Sequence, residues 1–71
     1  MTDNIKVRLG NRVRALRLAA GLSQERFALE CGLDRTYISG VERGQRNVSL
    51  VNLEKIARGL RMPLDRLLEG L

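Results

Sequence analysis

Three short segments, each opened by a helix-capping residue and closed by a glycine, most constrain how this chain can fold. The opening residues are Ser23, Asp34 and Ser49, and the closing residues are Gly32, Gly44 and Gly59. Ser and Asp side chains accept hydrogen bonds from the first amides of a helix, and glycine readily adopts the left-handed backbone that ends one. The pattern predicts three short helices in succession.

Two further helices are predicted on either side of these three. Before them, an apolar stripe at helical spacing ends ahead of Gly21; it consists of Leu9, Val13, Leu16 and Ala20. After them, Pro63 suits the first turn of a last helix over about 63–71. No segment alternates with period two for long enough to form a strand. We expect an all-α fold of five helices, with residues 1–71 forming a single domain.

Composition narrows the classes of protein that this chain can belong to. The net charge is +5, histidine is absent, and Cys31 is the single cysteine. The chain therefore lacks the commonest general base and metal ligand, and it cannot form an internal disulfide. It contains no apolar run long enough for a membrane span, and its N-terminus has no signal-peptide character. We expect a cytoplasmic protein that is not an enzyme and needs no metal, cofactor or small-molecule ligand.

The second and third predicted helices form one unit. Only Gly32 and Leu33 connect them, and a short turn of this kind joins two helices at a steep angle in a helix-turn-helix motif. The predicted inner faces consist of Phe27, Ala28, Cys31, Ile38 and Val41. The opposite face of the third helix is small, polar or cationic, and it consists of Arg35, Thr36, Ser39, Gly40 and Arg43. Such a face suits the major groove of DNA, so we predict a DNA-binding helix-turn-helix over about 23–43.

The residues of this unit resemble a known family. The runs LSQE at 22–25, GL at 32–33 and YISGVERG at 37–44 are similar to those of the Xre and lambdoid-repressor regulators. The run DRTYIS at 34–39, followed by ER at 42–43 and RN at 46–47, resembles the controller proteins of restriction–modification systems. The resemblance implies a lambda-repressor-like domain that binds a (pseudo)palindromic operator as a homodimer, regulates its own gene and controls restriction–modification genes. An antitoxin or a phage-type repressor, binding a protein partner as well as DNA, is the alternative.

The resemblance also implies which side chains read the bases. These are Arg35, Thr36, Tyr37 and Ser39. An arginine fork matches O6 and N7 of guanine, and a threonine methyl suits thymine. The alternatives are that Arg35 contacts phosphate or pairs with Asp34, and that Tyr37 packs against the core while its hydroxyl bonds to phosphate.

A second group is implied to hold the DNA backbone. It consists of Gln24, Arg43, Arg46, Asn47 and Ser49. Loop amides and a helix N-terminus suit phosphate anions. The alternatives are that Gln24 is an ordinary exposed residue at a helix start and that Ser49 only caps the fourth helix.

Two acidic features need separate explanations. Glu42 lies near the inner side of the DNA-facing helix, where an unpaired acid would repel phosphate. The family pairs this acid with an arginine of the first helix, here Arg17, with Arg14 as the competing partner. Glu25 and Glu30 on the second helix form either a contact surface for RNA polymerase or a solvated face.

The last predicted helix supplies a candidate dimer interface. Its apolar residues exceed what one turn needs for internal packing, and they are Leu64, Leu67, Leu68 and Leu71. The alternative is that all four complete the core of a single protomer. One recognition helix reads only a few base pairs, so selectivity in a genome favours the dimer.

Overall fold

The structure, a computed structural model, describes residues 4–71, and this part of the chain contains five α-helices and no strand. The helices are α1 (Ile5–Ala19), α2 (Gln24–Cys31), α3 (Arg35–Glu42), α4 (Leu50–Gly59) and α5 (Leu64–Leu67). The predicted all-α class is confirmed. Residues 1–3, which carry the start of the segment judged for a signal peptide, lie outside the described residues. Within the part described, none of the helices has the length and apolar character that crossing a bilayer requires.

The predicted capping residues begin three of the helices. Ser23, Asp34 and Ser49 each adopt extended backbone and accept a hydrogen bond from an amide of the following first turn. At Asp34 the carboxylate accepts from the amide of Thr36 at 2.9 Å. α1 is capped in the same way by Asn4, which the apolar stripe of that helix did not identify.

The turn between α2 and α3 has the predicted form. Gly32 adopts a φ of 70°, and the amide of Leu33 donates back to the carbonyl of Ala28 at 3.0 Å. This pattern ends a helix within two residues, because the left-handed glycine redirects the chain while the last carbonyls remain hydrogen-bonded. Asp34 then caps α3 at once, so the two helices are held at a fixed angle.

Gly59 lies at the predicted end of its helix, but it is not the left-handed residue that stops it, which corrects the prediction made from its position. It is the last residue of α4, Leu60 is the C-cap, and the left-handed position falls on Arg61 with a φ of 59°. A Cβ added at Gly59 would lie 2.5 Å from Sγ of Cys31. The glycine therefore serves the close approach of α4 to α2, which a local pattern cannot reveal.

This packing shields the Cys31 thiol. Burial, and secondarily the charge of Glu30, raise the pKa of Cys31 to about 11. As the pH rises, the thiol of the unfolded chain loses its proton before the thiol of the folded chain. The contribution of the protonated thiol to stability is therefore present below about pH 9 and disappears as the pH rises through the folded pKa. We expect stability to urea to fall more steeply between about pH 9 and pH 11 than in a Cys31→Ala variant. Identical slopes in the two proteins would contradict this expectation.

The core lies where the five helices meet. α1 packs on α3, α2 packs on α3 and α4, and α5 packs on α4. The largest fully buried side chains are Phe27, Ile38, Ile56, Leu67, Val13 and Val41. Burying such side chains contributes about 1.5 to 3 kcal/mol each, which is the main source of stability in a small domain. Ala20, predicted as the end of the α1 stripe, is instead the exposed C-cap of that helix.

The last helix is shorter than predicted. α5 spans only Leu64–Leu67 rather than 63–71, and the chain leaves it in turns that include Gly70 at a φ of 83°. Its C-terminal end is held from a distance. Arg12 of α1 donates through Nη2 to the carbonyl of Arg66 at 2.7 Å and through Nε to the carbonyl of Leu67 at 3.1 Å. A cation at a helix C-terminus is favourable, so Arg12 fixes α5 against α1.

Candidate nucleic-acid interface

The outer face of α3 forms a shallow cleft. Arg35 and Thr36 are exposed in its first turn, and Ser39 is half-buried one turn later. A depression of about 230 Å³ is lined by these three residues together with Gln24 and Arg43. The fold thus brings three of the four predicted base-contacting residues beside two of the predicted backbone-contacting residues.

Tyr37, the fourth of these residues, lies to one side of the cleft. It is half-buried, and its hydroxyl oxygen accepts a hydrogen bond from Nδ2 of Asn52 on α4 at 3.1 Å. The guanidinium carbon of Arg46 lies 5.2 Å from the centre of the Tyr37 ring, within the range of a cation–π interaction. Tyr37 therefore connects α3, α4 and the loop between them.

The loop after α3 carries the remaining predicted backbone contacts. Arg46 and Asn47 are exposed. Ser49 is exposed as well, and its hydroxyl oxygen accepts from the amide of Asn52 at 3.1 Å as the N-cap of α4. Arg43 at the end of α3 donates to the hydroxyl of Ser39 at 2.8 Å and to Oε1 of Gln45 at 3.3 Å. Of these residues Arg43 lines the α3 cleft, whereas Arg46 and Asn47 line a separate cavity of about 250 Å³.

The charges around the cleft have no acidic counterpart in the described part of the chain. Within residues 4–71, Arg35, Arg43 and Arg46 make no salt bridge, and the carboxylate of Asp34 binds the amide of Thr36 rather than the Arg35 guanidinium. The exposed ion pairs join residues within one helix or turn, and they are Arg26–Glu30, Arg58–Glu54 and Arg66–Glu69. A cationic surface of this kind attracts a polyanion.

Glu42, at the end of α3, is neutralised by Arg17 of α1. Nε and Nη2 of Arg17 donate to the two carboxylate oxygens at 2.7 and 3.1 Å, and both residues are buried, with 7% and 8% of their surfaces exposed. Nη1 of Arg17 also donates to the carbonyl of Leu22 at 2.8 Å. Arg14, the competing candidate, is exposed and has no salt bridge to Glu42. The forked geometry makes this a strong pair that joins α1 to α3.

Gln24 extends the same network towards the cleft. It is half-buried at the start of α2, and its Nε2 donates to Oε1 of Glu42 at 3.0 Å. The side chain is therefore fixed by the ion pair rather than mobile on the surface. One amide N–H is used in this way, and the group still lines the cleft.

The helix-turn-helix geometry agrees with a comparison against known protein families. Residues 13–67 match the family HTH_3, described as helix-turn-helix. The match covers most of the chain. The chain belongs to this Xre-type helix-turn-helix family, whose members are DNA-binding transcription regulators.

Individual relatives place the regulator near one group within the family. It is 56% identical over 61 residues to the control protein C.BamHI of Bacillus amyloliquefaciens, covering 84% of this chain and 75% of the relative. It is 54% identical over 66 residues to the control protein C.MunI of a Mycoplasma species, covering 92% and 89%. The crystal structure of the restriction–modification controller protein C.AhdI from Aeromonas hydrophila superposes with a TM-score of 0.85 at 56% identity, covering 87% of this chain and 94% of that one. The regulator therefore resembles the controller proteins in both sequence and fold.

The predicted dimer interface of the regulator needs correction at one residue. Leu67 has no exposed surface within the protomer, since it fills the core between α5 and α4. In this conformation it therefore offers no surface to a partner. Leu64, Leu68 and Leu71 are half-buried and pack against the core, which leaves part of each surface accessible. Larger apolar exposure lies at the start of α4, where Leu50 is 69% and Val51 is 63% exposed.

Three residues that position the interface escaped the sequence analysis. A Cβ on Gly10 of α1 would lie 2.5 and 2.8 Å from the carbonyl oxygens of Val41 and Glu42, so only glycine permits this approach to α3. Arg12 fixes α5, and Asn52 holds the Tyr37 hydroxyl. Each acts through a contact between segments distant in the chain, and no local spacing marks it.

Proposed function

We propose that the regulator binds duplex DNA by inserting α3 into the major groove, where Arg35, Thr36 and Ser39 face base edges. The observation that carries this proposal is the exposed cleft on α3, whose arginines lack acidic partners in residues 4–71. The major groove, about 12 Å wide, admits one α-helix. An arginine free of intramolecular pairing is available to form two hydrogen bonds with a guanine.

The groups around this cleft are proposed to hold the phosphates on both sides of the groove. Gln24 at the start of α2 contacts one strand, while Arg43, Arg46 and Asn47 contact the other. Beside Ser49, the phosphate is proposed to accept from the first backbone amides of α4 more than from the serine hydroxyl, because that hydroxyl already caps the helix. Phosphate contacts fix orientation and contribute affinity that falls as salt rises.

The regulator is further proposed to bind as a homodimer on a (pseudo)palindromic operator. Leu50 and Val51 form the centre of the proposed interface, because they are adjacent, large, apolar and mostly exposed. The exposed parts of Leu64, Leu68 and Leu71 are proposed to extend it. Two recognition helices in a two-fold pair read half-sites about 34 Å apart. The protomer measures 33 × 24 × 23 Å, so its size is compatible with this spacing.

A charge placed in this interface is expected to separate the protomers. Val51→Glu should convert a dimer at tens of micromolar into a monomer, because association would bury an unpaired carboxylate. Leu29→Glu is the matched control, since Leu29 on α2 is 72% exposed and lies outside the proposed interface. Sedimentation equilibrium distinguishes the two variants. If the Val51→Glu protein remained dimeric, α4 would not be part of the dimer interface.

RNA polymerase is a proposed partner through α2, with Glu25 as the contacting acid. Glu30 is paired with Arg26 at 3.2 Å, whereas Glu25 has no salt bridge in residues 4–71. Glu25→Lys should abolish activation in a reporter assay while operator affinity persists. Full activation by this variant would argue for a solvated face.

The target genes are proposed from the relatives. Relatives of this chain are named control proteins, and C.AhdI is named a restriction–modification controller protein. We infer that the regulator acts on its own promoter and on linked restriction–modification genes. Occupancy then depends on protein concentration and dimerisation, and it rises steeply once the dimer forms.

The proposed DNA binding is tested by titrating the regulator into a fluorescent duplex from upstream of its own gene and, separately, into a scrambled duplex. Each titration is done at two salt concentrations, and the number of chains bound per duplex is determined. Selective binding of two or four chains that weakens steeply with salt is the expected result. Equal, weak binding to both duplexes would overturn the proposed operator and direct attention to a protein partner.

A further inference from the structure

Gly40 in the middle of α3 is covered by a side chain from the following loop. It is buried, although Thr36 and Arg43 on the same face of α3 are exposed. A Cβ at this position would lie 3.0 Å from Nε and 3.1 Å from Cγ of Arg46. The absent side chain therefore provides the space through which Arg46 passes over the helix.

Beyond Gly40, the arginine reaches Tyr37. Its guanidinium carbon lies 5.2 Å from the ring centre, and the Tyr37 hydroxyl is held by Asn52 at 3.1 Å. The path of Arg46 is thus defined at two points along its length, by a bare backbone and by a fixed aromatic ring. These two contacts favour one orientation of a long and exposed side chain in the free protein.

We propose that Gly40 is a positioning residue for DNA binding, which acts through Arg46 and does not itself face the DNA. This inference rests on the proposed contact of Arg46 with the DNA backbone. Holding the guanidinium over α3 before binding avoids the loss of side-chain entropy that ordering an arginine otherwise costs on association. Glycine in a helix interior is unfavourable compared with alanine, so its presence here calls for such a compensating role.

Substitution by alanine separates this role from a role in folding. In Gly40→Ala, the added methyl would lie 3.0 and 3.1 Å from Nε and Cγ of Arg46, so the arginine must shift from its position over the ring of Tyr37. The backbone of α3 is helical at this position, so alanine is compatible with the fold and favours the helix. We expect a melting temperature equal to or above that of the parent protein, and weaker DNA binding.

The experiment is a double-mutant cycle with Gly40→Ala, Arg46→Ala and the combined variant, titrated against the duplex from upstream of the gene. Each single variant should weaken binding by about threefold to tenfold, and Arg46→Ala should lower the salt slope by about one. Gly40→Ala should have no further effect once Arg46 is absent. A parallel cycle with Arg43→Ala is the matched control, and there the two effects should add.

A second measurement uses the free protein. Tyr37 is the single tyrosine, and the chain has no tryptophan, so the near-ultraviolet circular dichroism of tyrosine reports on this ring alone. Gly40→Ala and Arg46→Ala should change this signal in the same way, and Arg43→Ala should leave it unchanged.

The outcomes distinguish the inference from the function on which it rests. Additive effects of Gly40→Ala and Arg46→Ala would mean that Gly40 acts independently of Arg46, which overturns the positioning role. A Gly40→Ala protein with parental affinity and parental tyrosine signal would overturn it as well. Unchanged binding by Arg46→Ala would instead refute the proposed contact of Arg46, whatever the tyrosine signal shows.

Discussion

Replacing Glu42 by alanine is expected to destabilise the regulator by about 3 to 5 kcal/mol. The substitution leaves Arg17, with 7% of its surface exposed, as a buried cation without its counterion. It also removes the acceptor for the side-chain amide of Gln24. Small domains have total stabilities of about 5 to 15 kcal/mol, so the substitution should remove a large share of the stability of the fold. Urea unfolding followed by circular dichroism measures the effect.

The double variant Arg17→Met, Glu42→Leu is the control for this prediction. Removing both charges avoids an unpaired buried group, and such replacements are frequently neutral in stability. We expect the double variant to recover most of the loss caused by Glu42→Ala. A Glu42→Ala protein that melts like the parent but no longer binds DNA would assign Glu42 to the DNA contact instead of to the join between α1 and α3.

Replacing Arg35 by alanine is expected to cost about 1 to 3 kcal/mol of discrimination between operator and scrambled duplex. The reason is the loss of the proposed bidentate contact to guanine, which the methyl group of alanine cannot replace. Stability should be unchanged, because Arg35 is exposed and makes no salt bridge in residues 4–71. Titration of both duplexes gives the selectivity ratio directly.

The matched control removes the same charge elsewhere. Arg61→Gly deletes one arginine at a cleft lined by Ala20, Leu22, Arg26, Glu30, Gly59 and Leu60, which shares no residue with the α3 cleft. Glycine also suits the φ of 59° at this position. This variant should weaken binding to both duplexes only slightly and equally. If Arg35→Ala weakens both duplexes by the same factor, Arg35 contacts phosphate rather than base.

The central unit of the fold was accessible from sequence because its signals are local. Asp34 caps the helix that follows it, and Gly32 redirects the chain within two residues. The apolar spacing of Phe27 and Ile38 also placed them correctly, and both are fully buried. Periodicity and capping depend on neighbours a few residues apart, so one sequence contains the information.

The errors occurred where a distant contact decides the outcome. Gly59 has the local signature of a helix terminator, yet the nearby thiol of Cys31 is what requires a glycine there. Leu67 was assigned to a dimer interface because the predicted α5 was longer than the observed helix. In the structure, Leu67 is fully buried in the core of the protomer. Arg12 resembled any solvated arginine, although it holds the end of α5 through two carbonyls.

The candidate site divides in the same way. The residues that line the α3 cleft followed from helical geometry, since positions 35, 36, 39 and 43 share one face. The ties of Gln24 to Glu42 and of Tyr37 to Asn52 bring together groups from different helices. Only the folded arrangement reveals that these two polar side chains are fixed in place.

The packing of α3 against α1 has a consequence for how new DNA-sequence specificities can arise. Gly10 meets the main-chain carbonyls of Val41 and Glu42, and these atoms are the same whatever side chains the outer face carries. Substituting residues at positions 35, 36 and 39 therefore leaves the contact between α1 and the α3 backbone unchanged. On the proposed base contacts, we expect a different DNA sequence to be recognised after substitution of these few exposed residues, with the packing of α3 on α1 unchanged.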